Sequence, residues 1–165
     1  MKAADLKDIL QKHTDWLKNQ DGGARADLTR ADLTRADLTD ADLTHAKLSG
    51  SKGLTTSQLF LSTFESDQMG VIVYKAIGGT DFDPPEDWKI EPGSVIAEVV
   101  NPCRTVTCGC GVNFGTLDYV RKIYPGSVIW RCRIAWLDLA DVVVPYNTDG
   151  KARCARLQLL EKIPN

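Results

Sequence analysis

The 165-residue sequence has no apolar run approaching the roughly 18 residues that a membrane-spanning helix requires, so no transmembrane helix is expected. Its opening stretch, MKAADLKDIL, lacks the hydrophobic core of a secretory signal, which makes the cytosol the expected compartment. Neither sign of charge dominates: 20 Lys and Arg against 22 Asp and Glu give a net charge of −2. Bulk electrostatic binding to nucleic acid or to a membrane is therefore not suggested. Histidine is scarce, with His13 and His45 alone and none in the later two thirds. General acid and base work at neutral pH most often uses histidine, so the later part of the chain has little to catalyse with. Five cysteines, an odd number, fit a reducing compartment better than a disulfide framework.

What the sequence does have is a repeat. TRADLTRADLTDADLTHAKL, from Thr29 to Leu48, recurs every five residues. On an α-helix five residues advance about 500°, so Leu28, Leu33, Leu38 and Leu43 would spiral around the axis. On a strand they would alternate between faces. A chain that turns a corner once per pentad satisfies the spacing. Ala26 and Leu28, Ala31 and Leu33, Ala36 and Leu38, and Ala41 and Leu43 then point inward, while Asp, Thr and the variable residue face water. With corners of roughly 90°, four pentads close one coil, and coils stack at about 4.8 Å in a narrow parallel β-solenoid.

Tandem Ala-Asp-Leu-Thr-Arg resembles the pentapeptide-repeat family over about Ala24 to Leu54, and the resemblance implies that family's right-handed square β-helix. Some members mimic DNA, but this segment is short for it. About thirty residues give on the order of 7 Å of stacked height, against about 34 Å for one turn of duplex. Residues twenty apart stack, which sets Asp27 over Lys47 and Arg30 over Gly50, so no acidic ladder forms. So few coils do not bury enough core alone, and the segment reads as a spacer or plug that docks a helix, the rest of the chain or another subunit.

Before the repeat, KAADLKDILQKHTDWLKN places Leu6, Ile9, Leu10, His13, Trp16 and Leu17 on one helical stripe, with Gly22-Gly23 as a stop. This helix is expected to cap the solenoid, with His13 packed and hydrogen bonded. After Leu48 the pattern decays, and TTSQLFLSTFE reads as a short helix capped by Thr55 or Thr56. From Gly70 the chain turns β-rich: VIVYKA, GSVIAEVV, SVIWRCRI, DVVVPY and KARCARLQLLE are expected strands. The intervening GGTDFDPPEDW, NPCRTVTCGCG and NTDG are expected turns, and GTLDYVRKIY a short helix. The whole is α+β: a helix-capped pentapeptide-repeat solenoid over residues 1–54, a helical connector over 55–69, and a β-rich binding domain over 70–165.

The order VYKAI, WKIEPGSVIAEVVNPCRT, CGCGVNFGTLDYV, VVVPYNTDGKARC is similar to an uncharacterised C-terminal domain of phage and prophage pentapeptide-repeat proteins. More loosely, it resembles the C-terminal part of phage rapid-lysis accessory proteins, where a histidine is common at the place of Asn113. The resemblance implies a viral setting, in the cytoplasm of an infected or lysogenic bacterium, and supplies no activity. VIVYKA, CGCGVNFGT, LDYVRKI and VIWRCRI also resemble the order of elements in ADP-ribosyl-transferring folds, where a cleft between two small sheets holds a nicotinamide dinucleotide. No catalytic Glu-x-Glu pair accompanies it, so an inactive nucleotide-binding cleft is expected ahead of an active transferase.

Cys103, Cys108 and Cys110 lie within eight residues, but a structural zinc site needs four Cys or His ligands. Cys132, in IWRCRI, alternates as a core hydrophobe. Reduced cysteines, no metal and no cofactor are expected. The loop Asn101–Gly111 is the strongest candidate for a binding element. Arg104, Thr105, Thr107, Gly109 and Gly111 suit the exposure of backbone N–H groups and a guanidinium to an anion. Tyr74, Lys75, Asn113, Tyr146, Asn147, Lys151 and Arg153 are candidate companions. The plainer reading of the last four is a hairpin turn at NTDG with basic residues on the solvated face of an edge strand.

These readings lead to a non-enzymatic, phage-type binding protein whose second domain captures a host-derived anionic ligand such as a nucleotide defence signal. The alternatives are a protein-binding module that blocks a host enzyme and an ADP-ribosyl-transfer-like domain. A homo-oligomer through solenoid or sheet edges is expected, with neither nucleic acid nor membrane as partner.

Overall fold

The computed structural model describes residues 3–78 and 83–164. Met1, Lys2, Asn165 and residues 79–82 of the expected GGTDFDPPEDW turn lie outside the described residues.

Helix α1, Ala3–Leu17, forms where the apolar stripe is, and it ends earlier than Gly22-Gly23 suggests. Asn19 takes the left-handed position with φ 52°, and Gln20 N donates to Asp15 O at 2.8 Å, which satisfies the last-turn carbonyls there. Gly23 has a different role. A Cβ on it would sit 2.4 Å from Trp16 N, so its lack of one lets the chain return against the helix it has left.

In the repeat, each pentad makes its own corner. Ala31 N donates to Leu28 O, Ala36 N to Leu33 O, Ala41 N to Leu38 O and Ala46 N to Leu43 O, at 2.9–3.1 Å. The third residue of each of these turns carries positive φ: Arg30 58°, Arg35 59°, Asp40 57°, His45 64°. That is the signature of a type II turn. The Asp of each pentad locks the approach, since Asp27, Asp32, Asp37 and Asp42 accept from the backbone N–H of the Thr two residues on. Hydrogen bonds from the hydroxyl and the backbone N–H of these Thr residues hold all four carboxyls below the usual carboxylate range, Asp27 down to about 2. Twenty residues on, the chain lies over itself. Parallel bridges join Asp27 to Lys47 and Asp32 to Lys52, and Lys47 Nζ meets Asp27 Oδ2 at 3.2 Å. The pattern is the one expected of a β-helix. Leu28, Leu33 and Leu38 are fully buried in the stack, with Leu6 of α1 against them. His13, also fully buried, joins helix to repeat. It accepts from Ala26 N at Nδ1, so its proton sits on Nε2 and donates to Thr44 O at 3.1 Å.

The second half is a six-stranded antiparallel sheet, curled into a half-barrel, in the order β2-β6-β4-β1-β3-β5. Its strands are β1 (Gly70–Ile77), β2 (Val95–Ala97), β3 (Val112–Gly115), β4 (Val128–Ala135), β5 (Lys151–Cys154) and β6 (Arg156–Ile163). Helix α2 (Ser57–Leu61) is capped by the Thr56 hydroxyl, and α3 (Leu117–Ile123) by that of Thr116. Alternating residues of the central strands, among them Val73, Trp130, Cys132, Ile134, Leu157 and Leu159, form one core with Phe60 of α2. Cys132 packs there as expected.

Three expected strands differ and one strand was not expected; of GSVIAEVV only Val95–Ala97 is strand. KARCARLQLLE breaks at Ala155 into β5 and β6, which occupy different places in the sheet. DVVVPY makes only the bridge Val143 to Arg153, because β5 offers it four residues of edge, and a 3₁₀ helix, Trp136–Asp141, precedes it. VNFG, expected as part of a loop, is strand β3.

Candidate functional site

The strands β1 and β3 are neighbours joined at a single register position, Tyr74 opposite Gly115, and beyond it no paired positions continue. By contrast β1 pairs with β4 along its whole length, from Gly70 to Ile77. At the parting, Lys75 Nζ donates to Asn113 O at 3.0 Å, supplying a side-chain donor where a ladder partner would otherwise be. Opposite, α3 lies over β1 and β3. Gly115 makes this possible, since a Cβ there would meet Gly150 O at 2.8 Å and the Tyr119 ring at 2.9 Å.

A cavity of about 910 Å³ occupies the space between these elements. Its walls include Tyr74, Trp88, Phe114, Tyr119 and Tyr124, and among the described residues its charged groups are Lys75 and Lys151. No carboxylate is among its described lining residues. Lys75 is nearly fully buried, and burial lowers its pKa from the ordinary 10.5 to about 8. Its ammonium lies 5.3 Å from the centre of the Trp88 ring. Lys151 Nζ hydrogen bonds to Cys108 Sγ at the same cavity. Burial also raises the Tyr119 hydroxyl to about 12, so it remains a neutral donor at physiological pH.

Six of the residues picked from the sequence meet here: Tyr74, Lys75, Gly109, Gly111, Asn113 and Lys151. The others go elsewhere. Arg104 was expected on the anion-binding rim, but it does not line the cavity. Its Nε donates to Val144 O at 2.7 Å, its other end donates to Thr55 O, and its guanidinium stacks 4.2 Å from the Tyr146 ring. Thr105 donates to Ala41 O and Asn147 to Ala36 O, so these residues bind the repeat segment to the sheet. Tyr146 packs against the leucine stack of the repeat. Arg153 is fully buried and donates to Asn101 O at 2.8 Å, to Val106 O at 2.7 Å and to Cys103 O. It is the post around which the loop Asn101–Gly111 winds. Thr107 is exposed and outside the cavity lining. All four residues of β5 are buried, so the solvated edge face suggested for Lys151 and Arg153 does not occur; the loop covers one and the cavity takes the other.

Apart from Tyr74, the aromatic wall was missed in the sequence. Trp88 sat within an expected turn and Tyr119 and Tyr124 in or beside an expected helix, and nothing in their local spacing pointed to a common space. The five cysteines are free thiols: Cys108 and Cys110 exposed, Cys103 half-buried, Cys132 and Cys154 buried. Among the described residues no group of three or more His, Cys, Asp or Glu is placed to hold a metal ion. Nor is any described helix long and apolar enough to cross a membrane.

Residues 24–52 match the family described as pentapeptide repeats (8 copies). The repeat segment is thus of the pentapeptide-repeat class, and that match stops short of the sheet that carries the cavity. No curated protein and no solved structure matches the chain. A phage origin and the resemblance of the second half to phage proteins gain no support from these comparisons.

Proposed function

We propose that this is a non-enzymatic binding protein whose sheet domain captures a small anionic ligand of the nucleotide class. One observation carries the reading: a cavity walled by aromatic rings and holding two lysines, with no carboxylate among its described lining residues. Flat aromatic faces suit a base, and ammonium groups suit a phosphate. In this reading the ligand is a host-derived nucleotide signal of antiviral defence, sequestered in the cytoplasm of an infected bacterium. The repeat segment is a right-handed square β-helix that serves as a strut. The parting of β1 from β3 around the cavity also suits a domain related to ADP-ribosyl-transferring folds that has kept a cleft.

The test is a thermal-shift panel of nucleoside mono-, di- and triphosphates, cyclic nucleotides and nicotinamide dinucleotide. Ligand at a hundred times its Kd stabilises by about 2.7 kcal/mol, which raises Tm by several degrees in a protein of this size. The rise should vanish in Lys151→Met. A flat panel at millimolar ligand overturns the reading.

A host protein as partner is favoured by a different observation. Met69, Trp136 and Leu137 are exposed together, joined by Trp136 N donating to Met69 O, and Leu137 is 94% exposed. Loss of a pulled-down host enzyme in Leu137→Lys, with the nucleotide panel flat, would move the function to that surface.

A further inference from the structure

Cys103, Cys108 and Cys110 lie within eight residues of the loop Asn101–Gly111, and Arg153 pins that loop from beneath. Gly109, between two of the thiols, lies over the guanidinium: a Cβ on it would sit 3.2 Å from Arg153 Cζ. Cys108 is thereby set on the wall of the cavity, exposed, with Lys151 Nζ hydrogen bonded to its Sγ. Lys151 is buried, and among the described residues it forms no ion pair with a carboxylate. A buried ammonium is costly without an anion, and the group placed to supply one is the Cys108 thiol. The other four thiols are set differently. Cys132 and Cys154 are buried, and burial pushes both upward, Cys132 to about 12. Cys103 is half-buried and shares a hydrogen bond with the Thr105 hydroxyl at 3.1 Å. Cys110 is exposed like Cys108, but among the described residues no ammonium meets its sulfur. Exposure, an adjacent ammonium and an open cavity coincide at Cys108 alone.

We propose that Cys108 is a modification site that undergoes thiol–disulfide exchange with small anionic disulfides entering the cavity. The thiolate is the attacking form, and a neighbouring cation favours it. Cys108 Sγ attacks one sulfur of R–S–S–R, so that a Cys108–S–S–R bond forms while the original S–S bond breaks. The Cys108 sulfur is oxidised and the leaving sulfur reduced. The proton that Cys108 gives up to water is matched by the one that the leaving thiolate takes to become R–SH, so the disulfide is the only co-reactant. Lys151 acts twice, on the charge of the thiolate and on the charge of the incoming reagent, and no carboxylate among the described lining residues opposes it. Because Cys108 lines the cavity, the attached group occupies part of it, and a reducing thiol clears it by the reverse exchange. The site goes beyond the nucleotide reading and does not depend on it.

The experiment treats the full chain with oxidised glutathione, an anionic disulfide, and separately with cystamine, a cationic one. Remaining thiols are blocked at intervals, and tandem mass spectrometry reads the adduct at each cysteine. Oxidised glutathione should modify Cys108 roughly fivefold or more faster than Cys110. The preference for oxidised glutathione over cystamine should also be larger at Cys108 than at Cys110, which serves as the exposed reference thiol in the same sample. In Lys151→Met both differences should collapse toward the behaviour of Cys110. If Lys151→Met does not fold, the comparison within the natural protein already decides. Equal rates at Cys108 and Cys110, faster modification of any other cysteine, or the same charge preference at both sites overturns the proposal. So does a folded Lys151→Met in which Cys108 keeps its lead.

Discussion

Lys75 is a buried cation in a chain that could have placed any apolar residue on the same strand. Its pKa of about 8 in the fold, against 10.5 when unfolded, means that between these values the unfolded chain binds the more protons. Stability therefore rises with pH through that window, and below about 8 the whole penalty of a buried charge, on the order of 3 kcal/mol, is present. Lys75→Met should abolish the rise in denaturant stability that the natural protein shows between about pH 8 and pH 10. A difference independent of pH would show that Lys75 is not desolvated. Anion binding carries the opposite sign: affinity for a nucleotide should be highest below pH 8 and weaken as Lys75 loses its proton above it.

At the scale of elements, the repeat is where sequence and structure correspond most directly. Each pentad contains its own instructions: Asp caps the segment, Thr and the fifth residue turn the corner, and Ala and Leu point in. Nothing distant is needed to read it. Leu38→Asp should put a carboxylate into the leucine stack at a cost of several kcal/mol and leave the chain insoluble or unfolded. A well-dispersed, folded variant would show that the stack does not carry the segment. The sheet was less legible for the same reason turned around. β3 is four residues long and amid glycines, and it is a strand because β1 and β5 lie beside it. DVVVPY has strong strand character but meets only the short edge of β5. The cavity divides likewise. Gly109, Gly111 and Asn113 could be found from loop chemistry, but Trp88, Tyr119 and Tyr124 converge through topology, and the destination of Arg104 was set by Thr55, 49 residues away.

At the scale of the whole molecule, the loop Asn101–Gly111 belongs to both halves. Its first part, through Arg104 and Thr105, grips the repeat segment and the turn before β5, and its last part lines the cavity. Arg104→Ala removes two hydrogen bonds from a charged donor and a ring stack, leaving the carbonyls of Thr55 and Val144 unmet. It should cost roughly 2–4 kcal/mol in stability while nucleotide affinity at saturating folded protein stays unchanged. Unchanged stability with lost affinity would return Arg104 to the anion-binding rim.

The single register position between β1 and β3 has a consequence for how the sheet breathes. With β4 paired along all of β1 and β3 paired along all of β5, the sheet is two hydrogen-bonded plates stitched at Tyr74 and Gly115. Amide hydrogen exchange should sort along that stitch, with Val112–Gly115 and Lys151–Cys154 exchanging as one group through a sub-global opening and the amides of β4 holding out to global unfolding. A ligand that spans the cavity touches both plates. It should slow the first group most, until the two exchange in step.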